Sequence, residues 1–221
     1  MDIARIIDHT ILKPEASLPQ IEKLCSEGKE YRFFSICVNP VWVRYCVETL
    51  KESGVKVCTV SGFPLGANTR AVKMKEAEIA CHDGADELDM VMNIGAFKSG
   101  DWRSVENDIK GVREVLGNER ILKVIIETCV LTREEKIEAA KIVMDCGADF
   151  VKTSTGFSAK GATVEDVKLL RDVVKDRIKV KASGGIRDYQ TAMKMIDAGA
   201  QRIGTSSGVK IVQEMKGLTK P

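Results

Sequence analysis

The sequence predicts an α/β fold of one domain over residues 1–221, closed into a (β/α)8 barrel of the TIM type, and three observations carry that expectation. Eight short apolar runs, rich in β-branched residues, alternate with helical patterns along the 221 residues, as in a parallel sheet covered on both faces. Gly28, Gly54, Gly84, Gly117, Gly147 and Gly199 recur at roughly 30-residue intervals, the length of one βα unit, with the last interval spanning about two. Most follow a helical pattern and precede an apolar run, where a helix-ending glycine belongs. No GxGxxG follows an early run, which disfavours an open dinucleotide-binding sheet, and eight units in this length favour closure.

The first candidate strand, residues 6–10, leads from Ile6-Ile7 into Asp8-His9-Thr10. Residues 33–38 (Phe33-Phe34-Ser35-Ile36-Cys37-Val38) and 55–60 (Val55-Lys56-Val57-Cys58-Thr59-Val60) have the composition of buried strands. Residues 88–91 hold Asp89 among apolar neighbours, and residues 121–126 read Ile121-Leu122-Lys123-Val124-Ile125-Ile126. Residues 150–152, 178–181 and 202–204 complete the eight. Between them, Thr132-Arg133-Glu134-Glu135 is a capping-box pattern that opens a helix with Ile137, Ala140 and Met144 on one face. Thr163, with Asp166 three residues on, opens another that carries Val167, Leu170 and Val174 as its apolar stripe.

Composition narrows the function. Charged residues make up 30%, yet the net charge is +2, so no electrostatic footprint for nucleic acid or an anionic membrane is expected. The N-terminal residues have no signal-peptide pattern, and no apolar run approaches the roughly 20 residues that cross a bilayer. A cytoplasmic protein is expected. The seven cysteines are odd in number and lack CxxC spacing, which points to free thiols. Two histidines, His9 and His82, are few for a metal centre built on imidazoles, so no metal is expected.

In such barrels chemistry sits at the C-terminal ends of the strands. The polar residues there are Asp8, Thr10, Cys37, Asn39, Asp89, Asn93, Glu127, Lys152, Lys181, Ser206 and Ser207. Lys152 and Lys181 end neighbouring strands about 4.8 Å apart. A second cation about 4 Å away supplies roughly 4 kcal/mol towards deprotonating a lysine, against a need of roughly 4–5 kcal/mol at neutral pH. The pair is suited to making one of the two a nucleophilic amine. Asp89 is either a structural partner for a lysine or a proton shuttle.

Ser183-Gly184-Gly185-Ile186-Arg187 and Gly204-Thr205-Ser206-Ser207-Gly208 follow the last two strands, the usual phosphate site of these barrels. Each also reads as an ordinary strand-to-helix turn with a serine cap. Cys37 reads as core, His9 as a backbone-bonded histidine, Lys160 as solvated, and Trp42 and Trp102 as helix packing residues.

The chain resembles the deoxyribose-phosphate aldolases. The resemblance is carried by Asp8-His9-Thr10-Ile11-Leu12-Lys13-Pro14, Ile36-Cys37-Val38-Asn39-Pro40, Gly62-Phe63-Pro64-Leu65-Gly66 and Glu87-Leu88-Asp89-Met90-Val91. It continues through Val151-Lys152-Thr153-Ser154-Thr155-Gly156-Phe157, Val180-Lys181-Ala182-Ser183-Gly184-Gly185-Ile186-Arg187 and Ile203-Gly204-Thr205-Ser206-Ser207.

The resemblance implies reversible cleavage of 2-deoxy-D-ribose 5-phosphate to acetaldehyde and D-glyceraldehyde 3-phosphate, a lyase step of deoxyribonucleotide catabolism and carbohydrate degradation. It implies Lys152 as the imine-forming lysine, Lys181 as its perturbing neighbour and Asp89 as the proton-transfer group. Gly156, Gly184, Gly185, Ser206 and Ser207 match phosphate-holding positions. Asp8, Thr10 and Thr155 match the sugar side, and Cys37 matches a pocket cysteine. No metal or organic cofactor is implied, and a homo-oligomer, a dimer or larger, is. Two departures stand out: no tyrosine follows Tyr189, where some members end in a tyrosine tail, and Phe157 stands where some carry a lysine. Rival readings are another phosphate-binding barrel enzyme, such as a transaldolase or sugar-phosphate isomerase, and a non-catalytic sugar-phosphate sensor.

Overall fold

Eight parallel strands close on themselves in sequence order in the computed structural model, which describes residues 2–217. The strands are β1 (Ile7–Ile11), β2 (Ser35–Val38), β3 (Lys56–Ser61), β4 (Glu87–Val91), β5 (Ile121–Ile125), β6 (Phe150–Lys152), β7 (Lys179–Ser183) and β8 (Arg202–Thr205). Each lies within two residues of its expected start or end, and β8 pairs back onto β1 through Ile7 and Ile203. The helices are α1 (Leu18–Tyr31), α2 (Val43–Thr49), α3 (Arg70–His82), α4 (Ile94–Lys98), α5 (Trp102–Leu116), α6 (Arg133–Asp145), α7 (Val164–Val174), α8 (Tyr189–Asp197) and α9 (Gly208–Met215). No helix of the described residues is long and apolar enough to cross a membrane. Leu218 to Pro221, the end of the tail discussed above, lie outside the described residues.

Local chemistry sets the helix starts. The Thr132 hydroxyl accepts from Glu135 N while Thr132 N donates to Glu135 Oε2 at 2.7 Å, the reciprocal box the sequence predicts. The Thr163 side chain accepts from Asp166 N at 3.1 Å, and Val167, Leu170 and Val174 face the core. The buried face of α6 is Ala139, Ala140, Ile142 and Val143. Ile137 and Met144 are only half-buried, so the stripe is rotated from the expected one, and small alanines let that helix approach the sheet.

Five of the six periodic glycines have positive φ. Gly28 does not: it sits inside α1, where a Cβ would lie 3.1 Å from the Ile36 side chain, and Arg32 at φ 53° ends the helix instead. Close approach, and not the left-handed turn, is what requires glycine there. Trp42 packs on the core, whereas Trp102, at the start of α5, is 45% exposed and does not pack as the sequence reading expects.

The main apolar core lies between the outer faces of the strands and the helices. The barrel interior is different. Asp8, Glu87, Asp89, Lys123, Lys181 and Arg202 are buried there, in place of the branched apolar layers that usually fill such barrels. Arg202 plugs the layer furthest from the mouth, with its guanidinium 3.5 Å from the centre of the Phe34 ring, a cation–π contact that offsets part of its desolvation. A second apolar cluster of Leu12, Cys37, Cys58 and Val60, capped by Phe63, fills one side of the interior. All seven cysteines are free thiols.

Candidate active site

Parallel register places the two strand-end lysines side by side: Lys152 on β6 pairs with Lys181 on β7. Their ammonium groups converge on one atom. Lys152 Nζ and Lys181 Nζ each donate to Asp89 Oδ2 at 2.7 Å. Asp89 on β4 is fully buried, and its other oxygen, Oδ1, accepts from Lys123 Nζ at 2.9 Å and from the Cys58 thiol at 3.3 Å.

The contacts close into a ring. Lys123 meets Glu87 Oε2 at 2.6 Å, Glu87 meets Arg202 at 2.9 Å, Arg202 meets Asp8 Oδ1 at 2.8 Å, and Asp8 Oδ2 meets Lys181 at 2.5 Å. Ser35 also donates to Asp8 Oδ1 at 2.7 Å. Lys123, Lys152, Lys181 and Arg202 thus face Asp8, Glu87 and Asp89, four cationic side chains to three carboxylates.

Burial alone pushes the Asp89 carboxyl up, but Lys123, Lys152 and Lys181 outweigh it and hold it well below the usual carboxylate range. Asp8 behaves likewise: burial raises it, and Lys181 and Arg202 bring it far down. Burial lowers Lys181, yet Asp8 and Asp89 reverse that and raise it far above an ordinary lysine. Lys123 is raised in the same way, by Asp89 against its own burial. Lys123 and Lys181 therefore rest as cations and Asp8 and Asp89 as anions at neutral pH. Lys181 is thus a cation inside a lattice of opposite charges, and one oxygen of the Asp89 carboxylate bridges it and Lys152.

Above this lattice lies a cavity of about 910 Å3 at the C-terminal ends of the strands. Lys152 is the member of the cluster that lines it. Thr10, Thr155, Gly156, Gly184, Gly185, Ser206 and Ser207 line it too, with Ser183, Arg187 and Lys210. Gly184 has φ 86°, and its carbonyl accepts from Ala162 N at 3.0 Å. A Cβ on it would lie 2.9 Å from the Gly161 Cα, so the β6 and β7 loops meet backbone to backbone at the rim. Ser207 N donates to Thr205 Oγ1 at 2.9 Å just before α9 begins, and the free amides of that helix start face anions favourably.

Asp8 and Cys37, implied by the resemblance on the sugar side and in the pocket, are set deeper. Asp8 is fully buried under Lys181, and Cys37 is buried beside Cys58 in the small apolar cluster. Neither lines the cavity. The sequence reading missed Lys123, Glu87 and Arg202. The available signal was a charged residue within an apolar strand at the parity of Asp89, which pairs in register with Lys123. His9 bonds to the Glu27 carboxylate at 2.8 Å, and not to backbone.

Cys37, Cys58 and Asp89 bring donor atoms within 4.8 Å of one another. A divalent cation there would displace the ammonium groups already on Asp89, and Lys123 also donates to Cys58 Sγ at 3.5 Å. The cluster is cationic where a metal would need anions, so it does not fit one.

A family model described as DeoC/LacD family aldolase matches residues 3–214. The deoxyribose-phosphate aldolase of Staphylococcus carnosus is 56% identical over 216 residues, covering 98% of both chains. Among solved structures, the aldolase QR15 superposes with a TM-score of 0.94 at 46% identity, covering 98% of this chain and 97% of that one. The deoxyribose phosphate aldolase of Aeropyrum pernix, described as tetrameric, gives 0.91 at 35% identity over 98% and 92%.

Proposed function

Because this chain belongs to the DeoC/LacD aldolase family, we propose that it cleaves 2-deoxy-D-ribose 5-phosphate reversibly to acetaldehyde and D-glyceraldehyde 3-phosphate through an imine on Lys152. The observation that carries this reading is the convergence of Lys152 and Lys181 on one oxygen of Asp89, directly beneath a cavity rimmed by Gly156, Gly184, Gly185, Ser206 and Ser207. The lattice holds one cation more than it has carboxylates. It is balanced when one lysine is a free amine, and Lys152 is the lysine that reaches the cavity.

The free amine attacks the aldehyde carbon of the open-chain sugar phosphate. The carbinolamine loses water to a protonated imine, which is the electron sink. The C2–C3 bond breaks as the C3 hydroxyl loses its proton, and glyceraldehyde 3-phosphate leaves. The enamine then takes a proton at C2, and hydrolysis returns acetaldehyde and Lys152. Asp89, within hydrogen-bond reach of both amines, relays these protons with Lys181. The rim glycines and serines hold the phosphate through backbone N–H groups and hydroxyls. Thr10 and Thr155 line the sugar side, while Asp8 acts through Lys181. Cys37 contributes packing, and the chemistry calls for no metal or organic cofactor. The enzyme works in the cytoplasm as a homo-oligomer, as the tetrameric relative suggests.

A coupled assay for glyceraldehyde 3-phosphate release tests the reading. The wild-type protein must cleave deoxyribose 5-phosphate, and Lys152→Leu must fold but not turn over. An isomerase would rearrange the sugar without releasing a triose, and a sensor would bind it unchanged.

A further inference from the structure

We propose that Glu127, which takes no part in the chemistry above, is a positioning residue that sets recognition of the substrate phosphate by holding the turn at residues 155–157. The inference rests on the reading that this turn faces the phosphate of a deoxyribose phosphate monoester.

The backbone at Glu127 is the first observation. Just past β5, Ile126 N donates to the Lys152 carbonyl at 3.1 Å and Thr128 N to the Thr153 carbonyl at 2.9 Å. The chain is therefore tied to β6 on both sides of residue 127. Between those ties Glu127 takes φ 55° and ψ 68°, the left-handed region. A glutamate rarely adopts it, and such outliers persist where the surroundings enforce them, most often at functional sites.

The side chain is the second observation. Glu127 is 2% exposed, and the hydrogen bonds its carboxylate makes among the described residues all go to Thr155. Thr155 N donates to both oxygens at 3.3 Å, and the Thr155 hydroxyl donates to Oε2. That bond fixes the hydroxyl proton towards Glu127 and leaves its oxygen to accept from Phe157 N at 3.1 Å. One carboxylate thus orients the residues on either side of Gly156, which has φ 86° and lines the cavity. The carboxylate itself does not line the cavity, so Glu127 acts through the turn. An ordinary turn needs neither a buried carboxylate nor a strained glutamate; fixed aim of the residue 155–157 backbone does.

The test compares deoxyribose 5-phosphate with deoxyribose as substrates for wild-type, Glu127→Gln and Glu127→Ala protein, with inorganic phosphate as a competitive inhibitor. Selectivity for the phosphorylated sugar, as a ratio of kcat/KM values, should fall about tenfold or more in Glu127→Ala, the size of one lost charge-assisted hydrogen bond. The fall should come mainly from KM, and the inhibition constant for inorganic phosphate should rise in parallel. Glu127→Gln keeps the size and one acceptor, so it should fold and lose less. A purely structural role would lower kcat/KM for both sugars by one factor. Folded Glu127→Gln and Glu127→Ala proteins with wild-type selectivity and an unchanged phosphate constant overturn the proposal. If wild-type protein cleaves neither sugar, the activity reading fails instead.

Discussion

Replacing Lys181 by methionine removes one charge and keeps most of the stem. Lys152 Nζ and Lys181 Nζ both lie 2.7 Å from Asp89 Oδ2, so they are separated by at most twice that distance. A unit charge about 5 Å away, at an effective dielectric near 20, contributes roughly 3 kcal/mol. That is about a hundredfold in the equilibrium cost of a further positive charge beside Lys181. The count of charges points the same way: without Lys181, three cationic side chains face three carboxylates, and the excess cation is gone. The expected result is a drop of about a hundredfold in kcat/KM for deoxyribose 5-phosphate near pH 7, recovered progressively as the pH is raised over about two units. The assay is the pH profile of kcat/KM for wild-type and Lys181→Met protein. A loss of the same factor at every pH would show that Lys181 acts by position and not by charge, and would refute the electrostatic reasoning.

Three further outcomes follow from the same geometry. Lys123→Met removes one buried cation from each of Glu87 and Asp89, leaving Arg202 on the first and Lys152 and Lys181 on the second, so urea unfolding should show a loss of up to about 3–5 kcal/mol; a loss under about 1 kcal/mol would mean that the ring readjusts without it. Asp8 and Asp89 sit below their ordinary values and Lys123 and Lys181 above theirs. The carboxylates then contribute fully above about pH 4 and lose that contribution as the pH falls through their folded values, while the lysines contribute fully below about pH 10 and lose it as the pH rises through theirs. These four groups therefore cost no stability between about pH 5 and 9, and a urea midpoint that falls steadily with rising pH across that window would contradict this. Gly184→Ala puts a Cβ 2.9 Å from Gly161 at φ 86°, so KM for the phosphorylated sugar should rise about tenfold or more; an unchanged KM would remove that loop from the phosphate site.

Much of this was legible in the chain. Short β-branched runs and recurrent glycines mark the eight βα units because buried parallel strands and left-handed helix ends leave those signatures. The convergence of Lys152 with Lys181 followed from placing both at the ends of neighbouring strands, where register aligns them. What lay below was not legible. Lys123, Glu87 and Arg202 are ordinary surface residues by type, and only closure of the barrel turns them inward to meet Asp8 and Asp89. The depth of Asp8 was hidden for the same reason, since position along a strand does not give height above the lattice, whereas Cys37 reads as core and is buried. Glu127 was visible as a strand-end carboxylate, but its left-handed backbone and its hold on Thr155 depend on the neighbouring loop and have no local pattern.

Borohydride reduction in the presence of acetaldehyde, followed by peptide mapping, addresses the central claim directly. An amine held free at the cavity floor must trap the aldehyde as one ethyl group on Lys152, with none in Lys152→Leu protein. An absence of label, or label carried by Lys181 or Lys123, would contradict the account.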